Sequence, residues 1–193
     1  MNISKPFRLA LLASSEGTNA EAIIEYFKQH PQISVDLVLS NRAGAGVLSR
    51  AKALNVSCRL FDKEQFQESD AVLTGLTEMG ITHLVLAGFL WLIPQKFLET
   101  FPNRIINIHP ALLPAYGGKG MFGRKVHEAV KAAEEKETGI TIHLVNERFD
   151  EGKILFQKKC EIVPTDSMDT IAKKVRLLEH EYYPKVIEKW VLG

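Results

Sequence analysis

Thr82-His83-Leu84-Val85-Leu86-Ala87 (THLVLA) is an almost continuously apolar run near the middle of this 193-residue sequence. A strand that is apolar on both faces is typical of the centre of a parallel sheet, where helices cover each side. The run RIINI at Arg104–Ile108 has the same character. The two runs therefore predict two central strands of one parallel sheet.

Strands and helices are predicted to alternate on the amino-terminal side of these runs. The apolar stretch RLALLA is followed by the polar loop SSEGTN and by AEAIIEYFKQ, whose apolar residues recur at helical spacing. The pattern then repeats, with strands predicted at Ser34–Leu39 and Cys58–Phe61 and helices at Val47–Leu54 and Asp70–Met79. Such alternation predicts a doubly wound, Rossmann-like α/β fold with a mostly parallel sheet and helices on both faces.

The carboxy-terminal part opens with a glycine-rich stretch, LLPAYGGKGMFG, which predicts a mobile loop of the kind that covers binding sites. We expect one domain over residues 1–193. Pro184 is predicted to kink or end the last helix. The elements predicted after the loop are a helix at Lys125–Ala133, strands at Ile140–Val145 and Ile154–Ile162 around the turn Asn146–Lys153, and a final helix marked by Met168, Ile171, Val175, Leu178 and Tyr182.

Composition and charge exclude several classes of partner. The formal net charge is +1, from 24 basic and 23 acidic side chains, so no broad basic surface for nucleic acid or an anionic membrane is expected. The short apolar run near the amino terminus neither spans a bilayer nor carries a signal-peptide pattern. Cys58 and Cys160 are predicted to be buried, reduced thiols of a cytoplasmic protein rather than a disulfide or zinc ligands.

The loop Ser14–Asn19 is the first candidate site, because free N–H groups at the start of a helix attract phosphate. Gly17 would let a phosphate approach the backbone closely, with Thr18 and Asn19 opening the helix. The pattern matches neither a dinucleotide-binding fingerprint nor a P-loop. An ordinary capped turn, closed by Thr18 or Ser15, is the alternative.

Asn107 and His109 form the second candidate site. The period of two along a strand places both side chains on one face, where an amide and an imidazolium can donate to the oxyanion of a tetrahedral intermediate. A purely structural histidine at a strand end is the alternative.

Asp150, in the turn RFDEGK, is the third candidate. A carboxylate near His109 would raise the pKa of the imidazole, keep it charged, and relay a proton through water. A turn aspartate without a catalytic role is the alternative, and His143 is predicted to be a core histidine that could support the site.

Arg176 and Glu179, three residues apart on the final helix, are the last candidates. They either form a weak exposed ion pair, or bind a phosphate and an amine of one substrate respectively.

In their order and spacing, SSEGTN, LAGFLWLIP, INIHPALLPAYGGKGMFG, TIHLVNERFDEGKILFQ and RLLEHEYYP resemble the folate-dependent glycinamide ribonucleotide formyltransferases. The resemblance runs from about Arg8 to Trp190. It implies the formyltransferase fold and transfer of a formyl group from the co-substrate 10-formyltetrahydrofolate to the amine of 5-phosphoribosyl-glycinamide, a step of purine biosynthesis. It departs from the family at Ser15, where glycine is usual, at Lys153, where proline often stands, and in a longer glycine-rich loop.

Residue roles follow from the same resemblance. The catalytic trio would be Asn107, His109 and Asp150, with no metal. The substrate would bind at Gly17, Thr18, Asn19, Arg176 and Glu179, and the folate at Leu90, Leu92, Ile93, Val145 and Phe149. Residues 1–103 would form a phosphate-binding half and residues 104–193 a catalytic and folate-binding half of a cytoplasmic monomer or homodimer.

Two related activities and one unrelated class are the alternatives. Methionyl-tRNA formyltransferase would be expected to carry a further carboxy-terminal domain and a basic surface, and formyltetrahydrofolate hydrolase an amino-terminal regulatory domain. A non-catalytic nucleotide-binding or sensor module on the same sheet would bind ligand without turnover.

Overall fold

The computed structural model describes residues 6–193, which contain one seven-stranded sheet. The strand order is β3-β2-β1-β4-β5-β6-β7. The first five strands pair in parallel, whereas β6 pairs antiparallel with both β5 and β7. The strands are β1 (Phe7–Leu12), β2 (Ile33–Ser40), β3 (Ser57–Leu60), β4 (His83–Leu86), β5 (Ile105–His109), β6 (Glu137–Leu144) and β7 (Ile154–Glu161).

Helices cover both faces of this sheet. One apolar core lies between the sheet and α1, α2 and α6, and a second lies on the opposite face against α3 and α4. The predicted doubly wound, mostly parallel architecture is confirmed. The helices are α1 (Thr18–Phe27), α2 (Gly46–Ala53), α3 (Ala71–Glu78), α4 (Gln95–Thr100), α5 (Arg124–Ala132) and α6 (Met168–Leu192).

The central strands are buried on both faces, as their composition predicts. In β1, Leu9 and Leu11 enter one core, and Ala10 and Leu12 enter the other; all four are fully buried. Burial of apolar surface contributes roughly 25 cal/mol per Å². The two cores together therefore hold β1 in place from either side.

The strand order reverses between β1 and β4. The chain runs outward from β1 to β3 on one side, and from β4 to β5 on the other. In open α/β sheets, ligands bind in the crevice beyond the carboxyl ends of the strands at such a reversal. The loops after β1 and β4 flank this crevice, and the amide N–H of Ser14 donates to the Gly88 carbonyl oxygen (3.0 Å) across it.

Several local expectations need correction. The predicted helices omitted α4 and the short helical segment Glu64–Glu68. Pro184 does not end α6, which continues to Leu192 because Tyr183, Pro184, Ile187 and Val191 are all buried against the protein. Cys58 and Cys160 are free thiols, but they are half-buried rather than buried. Among residues 6–193, no helix is both long enough and apolar enough to cross a membrane.

Candidate active site

Gly17 forms the turn between β1 and α1 in a backbone conformation that suits glycine. Its φ is 77°, in the left-handed region, and a Cβ there would lie 2.4 Å from the Cβ of Val47. No side chain caps the helix at this point, so the capped-turn alternative is wrong. The first-turn N–H groups of α1 are thus left without a capping side chain, as an anion site requires.

The carboxyl end of β5 brings two polar side chains to the crevice. Asn107 and His109 are the last alternate residues of the strand, and Asn107 is paired across the sheet with His143 of β6. The Asn107 Nδ2 lies 3.2 Å from the Nε2 of His143, whose Nδ1 lies 2.8 Å from the Leu144 carbonyl oxygen. A carbonyl oxygen only accepts, so Nδ1 of His143 carries a proton. His143 is thus a buried, hydrogen-bonded histidine beside the candidate trio, consistent with the prediction of a core histidine that could support the site.

Asp150 reaches the same point from the turn between β6 and β7. Its φ of 59° is a left-handed conformation that aspartate tolerates better than most residues. One carboxylate oxygen accepts from the Asn107 amide (3.4 Å), and the other accepts from the Gly118 N–H (3.0 Å) and lies 3.4 Å from His109 Nδ1. The structure thus brings together the three residues that the sequence singled out for catalysis.

The pKa of His109 reflects opposing effects of burial and of the Asp150 carboxylate. Burial lowers the pKa of His109, and this effect exceeds the raising effects of the Asp150 carboxylate and the Tyr116 carbonyl oxygen. Asp150 therefore favours the charged ring, as the sequence predicts, but burial opposes that effect. The Nε2 donates to the Tyr116 carbonyl oxygen at 2.7 Å, which leaves Nδ1 facing Asp150.

The carboxyl group of Asp150 remains ionised despite its position. Burial raises its pKa, but the hydrogen bond and charge of His143, the charge of His109 and the Gly118 N–H together lower it below the usual value. Its two oxygens can therefore act as acceptors for a proton or for N–H groups near neutral pH.

Glu179 and Arg176 extend from α6 into the same crevice. The Asn19 amide donates to Glu179 Oε2 at 3.0 Å, which ties α6 to the first turn of α1. Burial raises the pKa of Glu179, an effect that outweighs the Asn19 hydrogen bond and the positive charge of Arg176. Arg176 is exposed, so the two residues offer a solvent-accessible cation and a shielded carboxyl group to a ligand.

These groups all line one cleft of about 1010 Å³. Its volume is at the upper end for small-molecule sites, which leaves room for two substrates. Apolar side chains from the loop after β4 and the turn after β6 line part of it. The predicted folate-pocket residues all line it: Leu90, Leu92, Ile93, Val145 and Phe149.

Sequence reasoning missed other groups in the cleft. His127 of α5 and Arg42 line it, although neither stands in a motif used to identify the site, and so does Trp91, which lies in LAGFLWLIP but was given no role. For His127, the signal was its place after the glycine-rich loop on a helix whose remaining buried residues, Val126 and Val130, are apolar. Among residues 6–193, no group of three or more histidine, cysteine, aspartate or glutamate side chains is arranged to hold a metal ion.

Fold and site together define an α/β protein that binds small molecules in a crevice at the reversal point of a mostly parallel sheet, with an amide, an imidazole and a carboxylate at its centre. A family model described as "Formyl transferase" matches residues 7–187. The chain belongs to this formyl transferase family, which confirms the resemblance drawn from the sequence.

Several relatives of this chain are phosphoribosylglycinamide formyltransferases. The phosphoribosylglycinamide formyltransferase of Bacillus subtilis is 35% identical over 191 residues, covering 96% of this chain and 95% of that protein. The chloroplastic phosphoribosylglycinamide formyltransferase of Arabidopsis thaliana is 37% identical over 93% of this chain, which spans only 64% of the plant protein's length. The crystal structure of the Bacillus halodurans phosphoribosylglycinamide formyltransferase superposes with a TM-score of 0.84 at 36% identity, covering 94% of each chain.

Proposed function

We propose that this protein transfers a formyl group from 10-formyltetrahydrofolate to the amine of 5-phosphoribosyl-glycinamide, giving the formylated ribonucleotide and tetrahydrofolate in purine biosynthesis. One observation carries the proposal: Asn107, His109 and Asp150 meet in a cleft large enough for both substrates. The relatives that carry this activity in their names support it over nearly the whole length of the chain.

The central trio supports direct transfer between the two substrates. The neutral amine attacks the formyl carbon, a new C–N bond forms, and the carbonyl oxygen becomes an oxyanion. Asn107 and a protonated His109 donate to that oxygen, with the oxyanion replacing the Tyr116 carbonyl oxygen as the acceptor of the His109 Nε2–H. Donors placed in this way stabilise the charge that develops in the transition state. The tetrahedral intermediate then collapses, the bond from carbon to N10 of the folate breaks, and N10 takes up a proton.

Asp150 supplies the route for that proton. Its ionised carboxylate accepts the proton that the attacking amine loses and returns it through water towards N10. The same negative charge favours the charged form of His109, against the effect of burial. An oxyanion beside the ring would add to the effect of Asp150, so we expect the charged ring, protonated from solvent before the attack, to be stabilised further as the oxyanion forms.

The two substrates are proposed to occupy different parts of the cleft. We propose that Gly17, Thr18, Asn19, Arg176 and Glu179 bind the ribonucleotide, where the uncapped start of α1 and the arginine would hold its phosphate. The apolar end, with Leu90, Leu92, Ile93, Val145 and Phe149, would hold the folate ring. The reaction as proposed needs no metal.

The proposed division of the chain into halves follows the same geometry. Residues 1–103 would supply the phosphate loop and residues 104–193 the catalytic trio, within one Rossmann-like domain. Leu90–Ile93 come from the first half and Arg176 and Glu179 from the second, so each substrate would contact both halves. We further propose a cytoplasmic monomer or homodimer that binds neither nucleic acid nor membrane.

An absorbance assay of the purified protein with 10-formyltetrahydrofolate tests the activity. We expect loss of formyl folate only when the ribonucleotide is added, with one formylated product per folate consumed. Loss without the amine would indicate a hydrolase, and no loss in either case would leave a binding module, so both results contradict the proposal.

A further inference from the structure

Ser14 lies at the reversal point of the sheet and joins the two loops that flank the crevice. It follows β1, begins the loop 14–19 and is only 2% exposed. Its amide N–H donates to the Gly88 carbonyl oxygen (3.0 Å), and its Oγ accepts from the Leu90 N–H (3.2 Å). Ser14 itself does not line the cleft, so any effect on a ligand must act through the loop that it holds.

The loop after β4 has little backbone hydrogen bonding of its own. In the part of the chain that the structure describes, the Leu90 N–H is the only backbone N–H of residues 89–93 with a hydrogen-bond acceptor. Packing holds both ends of this stretch, because Phe89 and Ile93 are buried in the second core. The residues between them are less buried and line the cleft. The Ser14 hydroxyl therefore supplies the one hydrogen bond that fixes their backbone N–H groups.

We propose that Ser14 is a positioning residue, whose hydroxyl holds Leu90 and its neighbours in the conformation that receives the folate co-substrate. The inference rests on the proposed function, which assigns Leu90, Leu92 and Ile93 to folate binding. Ser14 also opens the loop that carries the proposed phosphate site. One buried residue would thus fix the folate end of the cleft from the loop that serves the other substrate.

The physical basis is the population of the binding-competent loop. A backbone N–H that loses its acceptor inside a protein is unfavourable, so the loop would move to bring the Leu90 N–H to water. The apparent affinity for a ligand falls in proportion to the fraction of protein in the competent conformation. Loss of the Ser14 hydroxyl should therefore weaken folate binding, although no contact with the ligand is removed.

Ser40 provides a matched control for the loss of a buried hydroxyl. It lies at the end of the neighbouring strand β2, is fully buried, and its Oγ accepts from the Arg42 N–H (3.2 Å). That hydrogen bond orders the loop after β2, which is not part of the proposed folate site. A general effect of removing a serine hydroxyl at this edge of the sheet would appear in Ser40→Ala as well as in Ser14→Ala.

Calorimetry with 10-formyltetrahydrofolate, in the absence of the ribonucleotide, measures the effect on binding. We expect Ser14→Ala to raise the Kd about 5- to 10-fold, the effect of one hydrogen bond, and Ser40→Ala to change it less than about twofold. The Kd for ribose 5-phosphate should change less than about twofold in both variants, because alanine keeps the backbone of the phosphate loop. Urea denaturation confirms that both variants are folded at the temperature of the measurement.

Hydrogen exchange at the Leu90 amide reports on the loop without any ligand. We expect this amide to exchange faster in Ser14→Ala than in the wild type, and at the wild-type rate in Ser40→Ala, because exchange follows local opening. An unchanged rate in Ser14→Ala would show that the hydroxyl does not hold the loop, and would overturn the inference.

The binding results separate this inference from the proposed function. An unchanged Kd for folate in Ser14→Ala would overturn the inference, as would equal rises in Ser14→Ala and Ser40→Ala or equal weakening of folate and ribose 5-phosphate. If the wild type transfers the formyl group and Ser14→Ala binds folate normally, only the inference fails. If the wild type binds folate without transfer and Ser14→Ala binds it more weakly, the proposed function fails and the inference stands.

Discussion

At the scale of single residues, Asp150 is proposed both to accept a proton and to favour the charged form of His109, although its side chain is largely buried. It accepts hydrogen bonds from Asn107 and Gly118 and faces His109, and these contacts keep its carboxyl group ionised. The His109 ring, in contrast, is shifted towards its neutral form by burial. The charge of Asp150 is thus the group in the site that favours protonation of His109 most strongly.

Replacing Asp150 with asparagine tests both roles. The variant keeps the size of the side chain but removes the proton acceptor and lowers the pKa of His109 further. We expect kcat to fall about 10²- to 10⁴-fold, as for loss of a general base, with the KM of each substrate little changed. Steady-state kinetics measures this, and the fall should persist across pH. A variant that regained wild-type kcat at lower pH, where His109 protonates, would show that Asp150 is needed only for the charge of the ring.

At the scale of elements, the turn from β1 into α1 depends on a glycine. Residue 17 combines a left-handed backbone with a close approach to Val47 of α2, so both the chain path and the packing of two helices constrain it. The uncapped N–H groups of α1 begin at this turn, so the geometry of the turn is part of the predicted phosphate site.

Gly17→Ala should therefore disturb ribonucleotide binding more than folate binding. A methyl group at 2.4 Å from Val47 forces the turn to move, and displacements of about 1 Å at a binding element can cost up to about 100-fold in rate. We expect the KM for the ribonucleotide to rise at least about tenfold, measured by steady-state kinetics.

Gly44→Ala provides the comparison for this variant, because nothing lies within 4 Å of a Cβ at residue 44. We expect wild-type kinetics there. Equal effects of the two substitutions would mean that the turn at residue 17 has no special part in binding.

At the scale of the whole molecule, local pattern predicted the sheet well. The double burial of Thr82–Ala87 and the alternation around it were enough for a doubly wound fold, since apolar periodicity reports burial directly. The same reasoning missed α4, a six-residue helix, because so short an element has little periodicity. It also left open that Pro184 ends α6, whereas the helix continues to Leu192, because the burial of α6 against the sheet outweighs the loss of one backbone hydrogen bond.

The sequence also predicted part of the candidate site, but from motifs rather than from apolar periodicity. Motif residues on strand ends and turns could be named from the sequence, and the structure places every one of them in one cleft. The contribution of burial to the pKa of His109 could not be predicted, because it depends on residues distant in sequence. His127 was missed on the same grounds, since only the fold brings its ring into the cleft.

Stability should depend on pH through His83, which is buried between the sheet and α6. Burial, with a smaller effect of Arg104, lowers the pKa of His83 to about 4 from 6.5. The unfolded chain then binds the extra proton between these values, so stability falls as the pH is lowered through that window. Over pH 7 to 5 this one group should remove about 2 kcal/mol.

Urea denaturation of the wild type and of His83→Phe at pH 7 and pH 5 measures this contribution. Phenylalanine keeps a ring against Trp190, at 4.8 Å in the native protein, but cannot take up a proton. We expect the variant to lose about 2 kcal/mol less than the wild type between the two pH values. An equal loss in both proteins would mean that His83 titrates normally when folded.

The central claim is that the groups at the end of β5 carry formyl transfer, and His109→Ala tests it most directly. The measurement is single-turnover formation of formylated ribonucleotide from bound 10-formyltetrahydrofolate, beside calorimetry that confirms binding of both substrates. We predict that the variant binds both but transfers at least about 10²- to 10³-fold more slowly, as expected for loss of an oxyanion donor. Transfer at a near wild-type rate would contradict the account and place the chemistry elsewhere in the cleft.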